Sequence, residues 1–509
     1  MSRLRNVARS LASGYAVTAS NVVYTLGSVP LALHYLTNEE FGLWALVMQV
    51  SGYLTLIDLG MSGSVYRILI DHKDQKSDGV YGSVIKTGCL VLLTQGAIIA
   101  LAGTALSFWL PSLMHAPAGL APTFRLLVAG QCVLLGAFFG ARILTHILQA
   151  HQRFDILNYS GMAQLAVSFG VQWAGFHAGL GLYSLLLANL IAMLCGSANN
   201  LAAVLRLKQF APRESRGRPS RKIFRELFWF GTEVFLLQLG MQLVNASQIV
   251  IVSRTLGLGA AAIWAIATKA FVLAQQMVLS IFDVSGSALG EMVVRGEKER
   301  LAQRFRDLVA FTASLAVFIG TSVAVCNGSF LAVWTKGRVS WPWQNDVLMG
   351  ISLFLASVSR CYLGLTIYTK QIGFGRFVYL LEGATFIALG FLAAPRLGMG
   401  GMVVAAILAN LAWSGTYGVR RSEQYFGVPG REIVFGWLGA ARRYLLVIVL
   451  PAIAIWWATR MLPAWPRLLS AAVVMAAMGL SLLWHFGLSE QMRRESKGVV
   501  GSLLSARPG

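Results

Sequence analysis

Three basic side chains lie where a charge is costly. Lys269, Arg360 and Arg142 fall within long apolar runs, and a cation at mid-bilayer costs about 2.5–3.5 kcal/mol on insertion scales. Each therefore calls for an anion or a water-filled cavity. Arg holds phosphate oxygens in a bidentate fork, whereas Lys is a point charge, so the set suits an anionic cargo. Arg142 has a second reading, because it can snorkel to a surface about two turns away. Arg360 equally fits an interhelical pair.

Polar stripes point to a wet interior. Thr18, Asn21 and Thr25 are spaced to share one helix face, as are Gln238, Gln242 and Asn245. Such residues line a cavity or hydrogen-bond across helices, and a threonine hydroxyl also reaches its own backbone. Acids within the runs are candidates for coupling, since a buried carboxylate can carry a proton. Glu233 is preferred, with an ion pair or a helix-end cap as its other reading. Asp58 is the second candidate, although Asp58 and Asp283 both precede Gly or Ser closely and favour a turn. Glu382 is a further in-run acid.

No catalytic motif accompanies these residues. His-Glu-x-x-His, Gly-Lys-Ser/Thr and Asp-x-Asp are absent, and Gly373-Phe374-Gly375 lacks a third glycine. An enzyme is not expected, nor a metal. Cys89, Cys132, Cys195, Cys326 and Cys361 are odd in number and far apart, which fits core packing rather than disulfides or zinc. His34, His146 and His177 occur singly and read as packing residues.

The elements that carry these residues are membrane spans. The chain has 509 residues, 56% hydrophobic and only 12% charged, against about a quarter charged for soluble domains. Fourteen spans are expected, at 15–36, 41–60, 84–112, 122–148, 156–177, 180–205, 227–252, 258–288, 307–335, 346–369, 377–395, 398–419, 437–460 and 466–486. They must be helices, because lipid satisfies no backbone group. The fold class is all-α and polytopic. The basic start, Met1 to Ser10, reads as the approach to a retained first span rather than a signal peptide.

With both termini in the cytoplasm, 33 of the 42 Lys and Arg residues fall on the cytoplasmic side and 7 on the other. This is the positive-inside bias. It accounts for most of the +21 charge without a nucleic-acid partner. Trp341 and Trp343 fit an interfacial aromatic belt.

An internal repeat sets the domains. Leu36 and Trp44 recur as Leu256 and Trp264, offset by 220; Gly179 and Leu187-Ala188-Asn189-Leu190 recur as Gly400 and Leu408-Ala409-Asn410-Leu411, offset by 221. Six spans per repeat leave the copies parallel. The expected layout is a six-helix lobe at 1–207, a cytoplasmic linker at 208–225, a second six-helix lobe at 226–420, and two extra helices with a tail at 421–509. Two parallel lobes around a central cavity imply transport by alternating access.

The stretch Leu36-Thr37-Asn38-Glu39-Glu40-Phe41-Gly42-Leu43-Trp44, followed by Ile57-Asp58-Leu59-Gly60, resembles the opening of Wzx-type polysaccharide flippases. Leu256-Gly257 and the segment from Glu291 to Arg306 resemble the start of that family's second lobe. The resemblance places the chain in the multidrug/oligosaccharidyl-lipid/polysaccharide (MOP) exporter superfamily. It implies twelve core helices plus two, and translocation of an undecaprenyl-pyrophosphate-linked oligosaccharide across a bacterial inner membrane. The pyrophosphate would meet Lys269, Arg360 and Arg142. Sugar hydroxyls would meet Asn21, Thr25, Gln238, Gln242 and Asn245. The implied partners are the polyprenyl-linked glycan, the bilayer and the glycan polymerase or assembly machinery. No cofactor is implied beyond a coupling H+ or Na+. The alternatives are a MATE-like cation-coupled exporter, which usually needs an acid in span one where this chain has none, and a flippase for peptidoglycan precursor.

Overall fold

The computed structural model describes residues 2–72, 79–114, 116–212, 215, 217–369, 373–488 and 492–494. Side chains at 2–12, 15, 230, 232–234, 237, 283, 284, 286–288, 294, 367 and 368 lie outside the described set. Among the described residues there are helices and no strands, as lipid requires.

The helices, in order, are α1 (Ser2–Tyr35), α2 (Asn38–Leu54), α3 (Met61–His72), α4 (Val80–Ser107), α5 (Leu110–Leu113), α6 (Ala121–Phe139), α7 (Arg142–Ala150), α8 (Phe154–His177) and α9 (Tyr183–Arg206). There follow α10 (Arg221–Leu256), α11 (Leu258–Ala267), α12 (Lys269–Val294), α13 (Lys298–Trp334), α14 (Trp343–Tyr368), α15 (Gly375–Asn410), α16 (Thr416–Phe426), α17 (Gly439–Thr459) and α18 (Ala464–Leu482). A 3-10 turn fills Thr55–Asp58, and π turns fill Leu411–Gly415, Glu432–Gly436 and Leu483–Gly487.

Every one of the fourteen expected segments is helical. By length and apolarity, ten helices among the described residues can cross a membrane, or eleven if α11 and α12, bent by 41°, form one span. Five expected spans are interrupted or fused, beginning with the third, which breaks at Phe108–Trp109 between α4 and α5. The fourth breaks at Gly140–Ala141, between α6 and α7. The eighth breaks at Thr268. The eleventh and twelfth run together as α15, with a kink at Gly398, where φ is +62°. The chain is a multi-pass membrane protein.

Packing divides the chain at Ala262/Ile263. The sequence reading opens the second lobe at 226, but α10 packs within the first unit, against α2 and α3. The reason is local. Tyr53 on α2 hydrogen-bonds Ser247 on α10. Gly60, with φ +73°, lies so close to α10 that a Cβ there would be 2.4 Å from the Gly231 carbonyl oxygen. In this first unit α4 packs on α6, α8 on α9 and on α1, and α2 on α6. Tyr81, Phe124 and Phe139 are fully enclosed.

In the second unit α13 is the common neighbour of α12, α14, α17 and α18. Phe305 on α13 is wholly buried and meets the rings of Phe282, Tyr362, Phe426 and Trp437 at 5.7–6.5 Å. Lipid is as apolar as these side chains, so interlocking shape and interhelical hydrogen bonds hold such helices together.

Candidate functional site

The first motif resolves into helix chemistry. Thr37 accepts from the Glu40 amide at 3.2 Å, and the Thr37 amide donates to Glu40 Oε2 at 2.8 Å. This reciprocal capping box starts α2, so Glu40 serves the backbone. At the far end of α2, Asp58 accepts from the Ser62 amide at 3.2 Å and its hydroxyl at 2.6 Å, which secures the turn into α3. Leu59 and Gly60 take the left-handed conformation there. The Asp58 carbonyl accepts from Gln95 Nε2 at 2.8 Å, tying the turn to α4. Asp58 is thus engaged locally at both its side chain and its backbone.

Arg142 and Lys269 share a geometry that spacing did not reveal. Each is the first residue of a helix that restarts after a break in its span, α7 for Arg142 and α12 for Lys269. A cation in the first turn stands at the unfavourable end of the helix macrodipole. Neither enters an ion pair among the described residues. Arg142 lies over the Phe139 ring at 4.3 Å, and Asp58 is the carboxylate whose charge reaches it. The break before Lys269 is itself secured: the Ala267 carbonyl accepts from Asn327 Nδ2 at 3.2 Å, and Thr268 Oγ1 donates to the Trp264 carbonyl at 2.7 Å. Both cations are partly buried.

Asn327 also donates to Asp346 Oδ1 at 2.6 Å, and Trp341 Nε1 donates to the same oxygen at 2.9 Å. Trp341 is therefore not an interfacial-belt residue. It is 9% exposed and anchors the start of α14 because its indole N–H finds a buried carboxylate. Trp343, 53% exposed, remains at the surface.

Arg360 is half-buried on α14, next to a polar cluster. Glu382 on α15 accepts from Asn410 Nδ2 at 3.1 Å and from the Ser414 hydroxyl. Ser359 Oγ donates to Asn410 Oδ1 at 2.8 Å. Ser414 lies in the π turn, whose extra residue turns its hydroxyl toward Glu382.

Of the polar stripes, Thr25 is buried, Gln242 is half-buried and touches the Gly52 position on α2, and Asn21, Gln238 and Asn245 are exposed. Thr18 bonds the Gly14 carbonyl of its own helix at 3.0 Å. The side chains of Glu233 and Asp283 lie outside the described residues. His146 is buried beside Gln149, 3.1 Å away, and His177 approaches Tyr35 at 3.3 Å. Cys132 and Cys361 are buried and Cys89, Cys195 and Cys326 partly buried, with no disulfide among the described residues.

Sequence reasoning missed several bonded groups. Gln172 donates to Tyr24 Oη at 2.6 Å and to Ser168 at 3.3 Å, joining α8 to α1. The repeat gave one usable signal. Asn189 donates to Gln131 on α6 at 3.1 Å, and its counterpart Asn410 accepts from Ser359 on α14. The sixth expected span is thus bonded to the fourth, and the twelfth to the tenth.

Residues 7–285 match the family model described as polysaccharide biosynthesis protein. The chain belongs to that family. No curated protein sequence matches it. Among solved structures, it is similar to the lipid II flippase MurJ in an inward closed conformation, with 12% identity, a TM-score of 0.65, and coverage of 92% of this chain and 99% of that one. An inward-facing MATE family multidrug resistance transporter of the MOP superfamily aligns at 15% identity and TM-score 0.60, over 79% of this chain and 94% of that one. A MATE transporter from Vibrio cholerae, in the bent form, aligns at 15% identity and TM-score 0.54, over 82% and 100%. This polysaccharide biosynthesis protein therefore has the fold of the MOP superfamily, the one its opening motif suggested.

Proposed function

We propose that the chain is a flippase that carries an undecaprenyl-pyrophosphate-linked oligosaccharide, an O-antigen or exopolysaccharide repeat unit, across the bacterial inner membrane. It works by alternating access, with both termini cytoplasmic and with H+ or Na+ as the coupling ion. The family match over 7–285 supports this reading most. The in-span cations support the anionic end of the cargo: Arg142 in the first unit, Lys269 and Arg360 in the second. Arg142 and Lys269 stand at helix restarts without a paired carboxylate among the described residues. A cation held in this way at bilayer depth favours a ligand that brings negative charge. Cargo hydroxyls would be met by Asn21, Thr25, Gln238, Gln242 and Asn245. Glu233 is the preferred coupling acid, with Asp58 as the second candidate. The glycan polymerase or assembly machinery is the expected partner.

The test is a deletion strain of the native host. Surface glycan and undecaprenyl-linked intermediates are quantified by mass spectrometry, alongside survival in cationic dyes. Loss of a glycan with accumulation of its complete lipid-linked repeat supports the reading and identifies the cargo. Accumulated peptidoglycan precursor, or dye sensitivity with glycans unchanged, replaces it with one of the two alternatives. Complementation with Lys269→Ala and Arg360→Ala then tests the cations. Full export by both variants at normal expression refutes their role.

A further inference from the structure

We propose that the first unit holds a binding site of its own for a hydroxyl-bearing phosphate ester, in the cleft where α6 and α7 meet α8 and α9. The cleft has a volume of about 160 Å³ and is lined by Arg142, Thr145, Gln164, Ser197 and Asn200, with Phe138 and Phe139 at its apolar side. That is several times the space one water needs, enough for a phosphate and the group esterified to it.

Two features specify the ligand. The first is Arg142, which lines the cleft with its guanidinium over Phe139 and enters no ion pair among the described residues. Asp58 does not neutralise it at contact, because its oxygens serve the Ser62 amide and hydroxyl. A planar fork of N–H donors without a carboxylate suits phosphate oxygens. The second is Asn200. It is 9% exposed, its Nδ2 donates to Thr145 Oγ1 at 3.4 Å, and its Oδ1 is buried without a partner among the described residues. A buried carbonyl oxygen calls for a donor, which a bare phosphate dianion lacks and an esterified alcohol or sugar supplies. The ligand thus brings negative charge to Arg142 and a hydroxyl to Asn200.

The walls are shaped for this. Gly196 leaves the space that the Gln164 side chain fills: a Cβ at Gly196 would lie 1.8 Å from Gln164 Nε2. Without that notch Gln164 could not reach the cleft from α8. The break at Gly140–Ala141 turns Arg142 onto the first position of α7.

Two sources share this chemistry: the sugar-phosphate end of a lipid-linked glycan, and the glycerol-phosphate headgroup of a membrane lipid. The first rests on the function proposed above. The site itself rests on the geometry of the first unit, and glycan export tests the function independently.

The experiment uses the full chain in phosphatidylcholine nanodiscs. Three probes are titrated: phosphatidylglycerol, undecaprenyl-pyrophosphoryl N-acetylglucosamine, and phosphatidic acid, which has no headgroup hydroxyl. Bound lipid is counted by native mass spectrometry, and thermal midpoints are recorded. Saturable binding is expected for at least one hydroxylated probe, weakened at least tenfold in Arg142→Gln and less in Arg142→Lys. Asn200→Val is expected to bring binding of that probe down to the level of phosphatidic acid. Arg396→Gln, at an exposed position on α15, leaves it unchanged. Binding of phosphatidylglycerol alone makes the site a lipid site; binding of the glycolipid alone makes it a cargo site; either supports the proposal. Equal binding of all probes by wild type, Arg142→Gln and Asn200→Val overturns it, as does no saturable binding by the folded wild type.

Discussion

Replacing Glu382 by leucine separates a bonded interior from a merely polar one. The Glu382 carboxylate accepts from Asn410 Nδ2 and from the Ser414 hydroxyl, and Ser359 completes the chain on the other side of Asn410. Glu382 is 6% exposed, Ser414 1% and Ser359 5%, so no solvent replaces a lost partner. Glu382→Leu orphans two donors. Interhelical bonds in membrane proteins average about 0.6 kcal/mol and reach about 1.7; an orphaned buried donor costs about 1–3 kcal/mol. Two donors near the membrane maximum give about 2–3 kcal/mol. Glu382→Gln keeps an acceptor for Asn410 and an N–H for the Ser414 oxygen, and should cost less. The assay is reversible unfolding by sodium dodecyl sulfate in mixed micelles. A double-mutant cycle with Asn410→Ala isolates the pair, and hydrogen exchange over 411–415 reports the π turn. A loss under about 0.5 kcal/mol for Glu382→Leu, with no coupling to Asn410, would refute the reasoning.

Three other outcomes follow from the same geometry. Gly60→Val should prevent accumulation of folded protein, because the left-handed conformation costs about 1–2 kcal/mol for a side chain and its Cβ would meet the Gly231 carbonyl oxygen; Gly63→Val, where a Cβ meets nothing within 4 Å, is the control, and both are read by size-exclusion chromatography of membranes in detergent. Thr37→Ala should cost about 1 kcal/mol through the lost cap of α2, measured by the same unfolding titration, with Thr37→Ser close to wild type. Asn327→Leu should free the Ala267 carbonyl and remove one donor from Asp346, lowering stability by about 1–3 kcal/mol and raising hydrogen exchange around Thr268; unchanged exchange there would show that the bend is not held by Asn327.

Much of the fold was legible because the bilayer restricts the possibilities. Apolar length gave the spans, and all fourteen expected segments are helical. Breaks within spans escaped notice, since Gly140-Ala141 and Thr268 are as compatible with an apolar run as any neighbour. Lys269 and Arg142 were found as charges in the wrong place. Their shared position at helix restarts was not, because it depends on backbone geometry. Trp341 was misplaced for a related reason: an indole near a span end suits an interface until a buried carboxylate lies within reach of its N–H.

Sequence alone thus determined the class of the protein, its helical elements and the residues whose charge needs explanation. Those follow from local composition and from the cost of polar groups in lipid. Only the tertiary structure decided which groups these residues meet. It joined Glu382 to Asn410 and Ser414, bonded Asp58 to Ser62 at the turn into α3, and set α10 among the helices of the first unit. It also set Arg142 and Asn200 on one cleft, with Asn200 Oδ1 buried and without a hydrogen-bond partner among the described residues. Hydrogen bonds and cavities form between segments far apart in the chain, and spacing along the sequence does not encode which segments will meet.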